Sequence, residues 1–531
     1  MAIQLSITNA RIIDGTGAPA FTGWVTIEDG VITAVTPETT ASDVSPLPNS
    51  IDARNAVVAP GFIDVHSHAD ISPLLQEDDI TKILQGVTTE VVGNCGSTVA
   101  PINPDRADSL KSTIGKSHNV PHYDWVTFAE YLDVLDGHGY VTNMCPLVGH
   151  GALRAAAMGV RAEAPSAKEM LHMQELLSEA LDAGAFGLSL GLIYPPGLYS
   201  EEGELAALAQ ILGAKHTLAC HMRNESNSLH EAIDEVCSVA ERSGANLQIS
   251  HLKLSGSNNW GKAEEALALI EAYRSRGVNA HIDVYPYMAA STKLSACLPP
   301  WALADGAAET ISRLRSPESA ARIRADLEST EIPDWDSAYH NAGPEGIRVA
   351  SSKTERFNGM NLVEIAQQFD IDPIDALFKV LIEEELAVIM LEFSMEEGDM
   401  VKFLRADYAM VGSDGNSASL GGLPHPRLTG TYPTVLGKYV REQGAMTLEE
   451  AVHKMTGLPA AKFGVPARGF IKPGAVADLV CFDPDSVRSG SDYDHPLGEP
   501  VGINWVMQSG RIVVQQGKWC NERNGVRLMP A

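Results

Sequence analysis

Between residues 59 and 464, hydrophobic runs of strand length alternate with stretches of helical periodicity, and this alternation most constrains the fold. FIDVHSH, VTTEVVG, YVTNMCPLVG, AFGLSLGL, HTLACHM, NLQISHL, NAHIDVYPY, LAVIMLEF and YAMVGSDG read as strands. AKEMLHMQELLSEALDAG, LHEAIDEVCSVAERSG and AEEALALIEAYRSRG carry apolar residues at helical spacing and close on Gly, the expected C-terminal stop. Repeated strand–helix units demand a parallel sheet, and roughly eight of them predict a (β/α)8 barrel. Residues 289–360, with LPPWALADG and a helical run near 307–328, are long for one connection and read as an insertion or lid.

The termini use a different idiom. Residues 1–58 read as short strands and turns, and strand–turn–strand text resumes over 465–531 with RGFIKPGAVADLVCFDP and NWVMQSGRIVVQQGKW. One small β-sandwich domain built from both ends is the expected arrangement. DVSPLPNS reads as a surface loop within it.

Composition narrows the partners. Lys+Arg 39 against Asp+Glu 68 gives a net charge of −29, which argues against nucleic acid or an anionic membrane. An acidic surface that aids solubility accounts for it, and does not forbid an anionic small molecule met by a few buried cations. No apolar run reaches membrane-spanning length, and the N-terminus lacks the pattern of a signal peptide. The seven cysteines are too sparse and irregular for a disulfide framework, so the cytoplasm is the expected compartment.

In such barrels the catalytic groups sit at the C-terminal ends of strands. His66 and His68 end strand one, one strand step apart and facing the same way. Cys95 follows strand two in GNCG, His221 and His251 end later strands, and Asp414 follows the last in VGSDG. Alone, the His-x-His pair could be packing or surface, Cys95 a buried hydrophobe, His221 and His251 core histidines, and Asp414 a helix cap. Together they put six ligand-type side chains at five strand ends. A thiolate among imidazoles suits Zn²⁺, which acidifies a bound water and polarises a carbonyl. Asp414 is then the candidate general base.

The motifs PGFIDVHSHAD, GVTTEVVGNCG, HMRNES, ISHLK, DVYPYMAAST, LPPW, VGSDG and PHPRLTGTYPTVLG occur in order from residue 60 to about 437. On these the chain resembles the D-aminoacylase (N-acyl-D-amino-acid deacylase) branch of the amidohydrolase superfamily. The resemblance implies a tightly bound zinc on Cys95, His221 and His251, a weaker second metal position at His66 and His68, and Asp414 as acid/base. It also implies that Lys253, Tyr285, Ser291 and Arg427 bind the α-carboxylate of a small-molecule N-acyl amino acid. From sequence alone Lys253 and Arg427 could also be surface cations, and His150 and Arg223 read as supporting or structural rather than as site residues. Many amidohydrolases carry a carboxylated Lys on strand four, whereas GAFGLSLGLIYPPG has none. That departure favours hydrolysis of linear N-acyl-D-amino acids over a cyclic-amide hydrolase of hydantoinase or dihydropyrimidinase type. A non-catalytic member would have lost ligands or Asp414, and none is missing. No side-chain cation is legible, so hydrophobic D-amino acids are the expected products.

Overall fold

The computed structural model describes residues 4–38, 49–107, 109–110, 124–331, 333–417 and 421–531, so the segment DVSPLPNS lies mostly outside the described residues. The strands in chain order are β1 Gln4–Ile12, β2 Phe21–Glu28, β3 Val31–Pro37, β4 Ser50–Asp52, β5 Val57–Pro60, β6 Phe62–Asp64, β7 Val87–Val92, β8 Asn143–Pro146 and β9 Val148–Gly149. They continue as β10 Gly187–Gly191, β11 Thr217–His221, β12 Asn246–Ile249, β13 Ala280–Val284, β14 Ala290–Lys293, β15 Ile347–Ser351, β16 Ile389–Glu392 and β17 Ala409–Val411. Finally come β18 Leu479–Phe482, β19 Ile503–Gln508, β20 Arg511–Gln515 and β21 Lys518–Trp519.

Parallel pairing runs β6–β7–β8 and then β9–β10–β11–β12–β13–β17. Strands β8 and β9 are one stave interrupted at Leu147, and a parallel bridge between Ser67 and Gly415 joins the last stave to the first. The result is an eight-staved parallel barrel. Helices form where the spacing predicts them. Ala167–Asp182 starts on a reciprocal Ser166/Glu169 cap, and Leu229–Ser243 ends on Gly244 in the left-handed region. The second helix buries Ile233, Val236, Val239 and Ala240 against the barrel core.

The terminal segments share one nine-stranded sheet in which β5 pairs antiparallel with β18, Val58 opposite Cys481. Ile7, Val25, Ile27, Val58, Leu479 and Trp505 form its own apolar core.

One strand departs from the expected alternation. LAVIMLEF supplies no barrel stave: β16 lies between β14 and β15 in a separate three-stranded antiparallel sheet. All four β16 residues are buried, as in a barrel strand, so hydrophobicity alone cannot assign it to one sheet or the other. This insertion has its own core around Leu298, Ile347, Val349, Phe378 and Met390. No helix among the described residues is long and apolar enough to cross a membrane.

Under the barrel mouth, Lys82 is buried with its ammonium 3.0 Å from Asp64 Oδ2, 3.3 Å from Glu90 Oε2 and 3.3 Å from Ser67 Oγ. Burial alone would push the Lys82 ammonium down, but Asp64 and Glu90 outweigh it and hold it above the usual lysine range. Removing one partner from such a cluster leaves buried charge uncompensated. Lys82→Met should therefore lower unfolding free energy by about 3–5 kcal/mol, read as a fall in the denaturant midpoint relative to the parent chain.

Candidate active site

The predicted metal ligands and Asp414 stand where strands leave the barrel, whereas Ser291 lies in β14 of the inserted sheet and Arg427 opens a helix at Arg427–Thr434; three of the strand-end residues occupy unusual backbone. Cys95, His251 and Asp414 have φ of 53°, 36° and 49°, in the left-handed region that costs a side-chain-bearing residue energy. These turns bend the chain sharply off the strand ends and point the side chains into one mouth. Room for the Cys95 turn comes from strand four, because a Cβ on Gly191 would lie 2.0 Å from the Cys95 carbonyl oxygen. Any side chain at Gly191 would close that space.

Cys95 Sγ lies 3.3 Å from His66 Nε2 and 3.5 Å from His251 Nε2. The His221 and His251 rings are 4.3 Å apart, and those of His66 and His68 are 5.4 Å apart. Ligand atoms converge within 4.8 Å in three overlapping sets: His66, His68 and Cys95; Cys95, His221 and His251; and His66, His251 and Asp414. Burial would push the Cys95 thiol up, but His66 and contacts with His221 and His251 hold it well below its usual range. Both ring nitrogens of the buried His221 lack a well-formed hydrogen bond. A thiolate ringed by imidazoles, one of them making no well-formed hydrogen bond, fits a borderline-soft divalent cation.

Two carboxylates that the sequence reading missed hold these rings. Asp283 Oδ1 sits 3.2 Å from His66 Nδ1 and accepts from the His251 backbone N–H at 2.8 Å. Glu225 Oε1 is 3.0 Å from His251 Nδ1, and its other oxygen takes Lys253 Nζ at 2.7 Å. In both histidines Nδ1 is held from behind and Nε2 faces Cys95, the arrangement that orients a metal-binding imidazole. Burial would push the Glu225 carboxyl up, but Lys253, His251 and His221 bring it down to about 2. The available signals were the four-residue step from His221 to Glu225 in HMRNES and the strand-end Asp in AHIDV.

Asp414 Oδ1 is 3.1 Å from His68 Nε2 and 3.5 Å from His66 Nε2, while Oδ2 is 2.8 Å from Arg427 Nη1. Against burial, which raises it, Arg427 and His66 hold the Asp414 carboxyl well below its usual range. Lys253 and Arg427 both stand over the Tyr285 ring, at 5.7 and 4.7 Å, and Arg427 Nη2 donates to the Ser291 carbonyl at 3.4 Å. Neither cation is at the surface: they are 3% and 2% exposed. His68, Cys95, His221, Lys253, Asp414 and Arg427 face one cavity. Tyr285, Ser291 and a further cation, Lys293, line it too. His150 and Arg223 serve elsewhere, His150 against Glu204 at 2.7 Å and Arg223 against Glu235 at 2.8 Å.

A (β/α)8 barrel with this mouth defines a hydrolase-type metal centre, and comparison with known proteins narrows it. A profile of the amidohydrolase family matches residues 49–266 and 404–514. N-acyl-D-glutamate deacylase of Alcaligenes xylosoxydans xylosoxydans is 35% identical over 520 residues, covering 97% of this chain and 94% of the relative. D-aminoacylase of the same organism is 33% identical over 526 residues, covering 98% and 96%. The crystal structure of Bordetella bronchiseptica N-acyl-D-glutamate deacylase, complexed with zinc and a phosphonate mimic of the tetrahedral intermediate, superposes with a TM-score of 0.84 at 34% identity, covering 99% of each chain. The chain belongs to the amidohydrolase family, in its D-aminoacylase (N-acyl-D-amino-acid deacylase) branch. The profile passes over residues 267–403, the stretch that holds the inserted sheet.

Glu225→Gln keeps the shape but removes the charge that faces His251 and Lys253. Affinity of the metal-free protein for Zn²⁺, measured by competition with a chromogenic chelator, should fall by about ten- to a hundredfold.

Proposed function

We propose that this enzyme hydrolyses the amide bond of N-acyl-D-amino acids, releasing a carboxylate and a free D-amino acid. The observation that carries the reading is the convergence of Cys95, His221 and His251 with Asp414 on one cavity that also holds Lys253 and Arg427. Cys95, His221 and His251 would hold zinc, and His66 and His68 a second, weaker ion. Zinc bound there supplies Lewis acidity for the acyl carbonyl and a water acidic enough to react near neutral pH.

The chain's own groups do the rest. Ionised Asp414 accepts the proton of the attacking water and returns it to the leaving nitrogen. Arg427, at 2.8 Å from Asp414, keeps that carboxylate oriented and charged until substrate arrives. Lys253, Arg427, Tyr285 and Ser291 meet the α-carboxylate, and the aromatic floor under both cations orders them for a planar anion. Strand β10 reads GLSLG and offers no lysine to bridge two metals, which argues against the cyclic-amide reading.

The apolar lining of Ile193, Tyr194, Pro195, Ala296 and Ile389 favours hydrophobic D-residues. A second reading, acidic D-residues, rests on Lys293, a cation on the same wall. The two readings separate by assay. N-acetyl-D-methionine should turn over with D-selectivity and lose turnover with a zinc chelator, whereas hydantoin should not react. Preference for N-acetyl-D-glutamate would select the second reading.

Asp414→Asn should retain zinc by elemental analysis and lose at least about a thousandfold in kcat; near-normal kcat with zinc retained would refute the acid/base role. Burial holds Lys293 down to about 8. It is charged below that value, so any turnover of N-acetyl-D-glutamate that depends on it should fall as pH rises through 8. The methionine compound, measured in parallel, should not share that fall.

A further inference from the structure

The inserted sheet brings to the catalytic cavity a carboxyl that the reaction does not use. Glu392, the last residue of β16, is 6% exposed and faces the cavity, and its Oε1 makes no well-formed hydrogen bond. No ion pair with Glu392 forms among the described residues: Lys253, whose charge reaches it, is bonded at 2.7 Å to Glu225. Burial and Asp336, with Glu225, push the Glu392 carboxyl up to about 7, against a contact with Ser394 and the charge of Lys253. Asp336 faces the same cavity. Its oxygens accept the Glu225 backbone N–H and the Asn341 side-chain amide, each at 2.9 Å, and both donors are neutral. Arg223, which borders Asp336 on the side away from the cavity, is committed to Glu235 and to the Leu198 and Ser200 carbonyls. This corner therefore sets Glu225, Asp336 and Glu392 beside the ammonium of Lys253, which Glu225 already matches.

Strand register decides which part of a substrate reaches that corner. β14 pairs antiparallel with β16, Ala290 opposite Glu392 and Lys293 opposite Ile389. Glu392 is thus three positions from the Lys293 end, about 10 Å along the strand, and the two charges do not share a corner. Opposed strand residues lie about 5 Å apart, and Ser291, a proposed partner of the α-carboxylate, is the next residue after Ala290. Glu392 therefore stands within reach of a side chain whose α-carboxylate is held by Ser291 and Lys253. Ile193 and Ala296 border both the cavity and the small space beside Asp336, so apolar surface adjoins the acids. An aliphatic stem that ends in a cation matches both features: the stem covers apolar surface and the charged end meets carboxyls that lack a cation. An acidic side chain at this corner would meet like charge.

We infer that Glu392, backed by Asp336, receives a cationic side chain, and that the preferred substrates are N-acyl derivatives of basic D-amino acids such as D-lysine. The inference rests on the deacylase reading above. The chemistry is the same: water adds across the C–N bond, its hydroxyl going to the acyl carbon and its proton to the departing nitrogen. The side-chain ammonium is untouched, and the products are a carboxylate and a basic D-amino acid.

The test is kcat/KM of the zinc-loaded enzyme for Nα-acetyl-D-lysine and N-acetyl-D-norleucine, which share an aliphatic stem and differ by the ammonium. N-acetyl-D-glutamate is assayed beside them. A charge-assisted hydrogen bond should give the lysine compound an advantage over norleucine of at least about tenfold. Glu392→Gln keeps the shape, removes the charge, and should lower the lysine-to-norleucine ratio by at least about tenfold. Because that variant could fail to fold, the same ratio is followed against pH in the parent enzyme. Glu392 is charged above about 7 and the lysine ammonium stays charged throughout, so the ratio should rise as pH rises through 7. A lysine preference that responds neither to the variant nor to pH overturns the role of Glu392. Turnover of norleucine at least equal to that of lysine overturns the inference and leaves the deacylase reading intact, and so does a preference for glutamate. Absence of turnover for every N-acyl-D-amino acid overturns the deacylase reading itself.

Discussion

The site depends on the seam where the last barrel stave meets the first. The Asp414 backbone N–H donates to the His66 carbonyl at 2.7 Å, and His68 N–H donates to the Gly415 carbonyl at 2.9 Å. Asp64 reinforces the seam by accepting from the Ser413 backbone N–H at 2.8 Å and its hydroxyl at 2.5 Å. The bonds to Asp64 join residues 349 positions apart in the chain. The two backbone–backbone bonds fix Asp414 against both histidines with little freedom. Lys82, wedged between Asp64, Glu90 and Ser67, makes it tolerable for the seam to carry carboxylates at all.

Charge is arranged in the same economy throughout the mouth. The chain carries a net −29, yet the cations that matter are buried and matched one to one with carboxylates, Lys253 with Glu225 and Arg427 with Asp414. Such pairs hold geometry more than they add stability, since desolvation offsets much of their attraction. Each carboxylate also touches a histidine, so the proposed metal ligands and the proposed carboxylate-binding cations are held by shared partners. A change at Glu225 is therefore felt at His251 and at Lys253 together.

What could be read from the chain follows from periodicity. His66 and His68 share a face because strands repeat every two residues, and the barrel follows from the strand–helix rhythm. Asp283 and Glu225 escaped notice because a carboxylate in a strand or loop carries no local mark of what it faces. Their roles exist only once β12, β13 and the loop after β11 are side by side. LAVIMLEF was ambiguous for a related reason: a run buried on both faces looks the same in a parallel barrel as in a sheet sandwiched by helices. The cation in the cavity wall was equally hidden, since Lys293 in ASTK has nothing in its neighbours to distinguish it from a surface lysine.

By itself the sequence determined the barrel, the strand ends that bear Cys95, His66, His68, His221, His251 and Asp414, and the absence of a strand-four lysine. It could do so because each depends on short-range pattern or on residue chemistry. Tertiary structure alone decided that Gly191 makes room for the Cys95 turn, that Asp283 and Glu225 orient the rings, and that Arg427 meets Asp414. Those are relations between side chains distant in sequence, and only the closing of the barrel and the folding of the inserted sheet bring them within bonding distance.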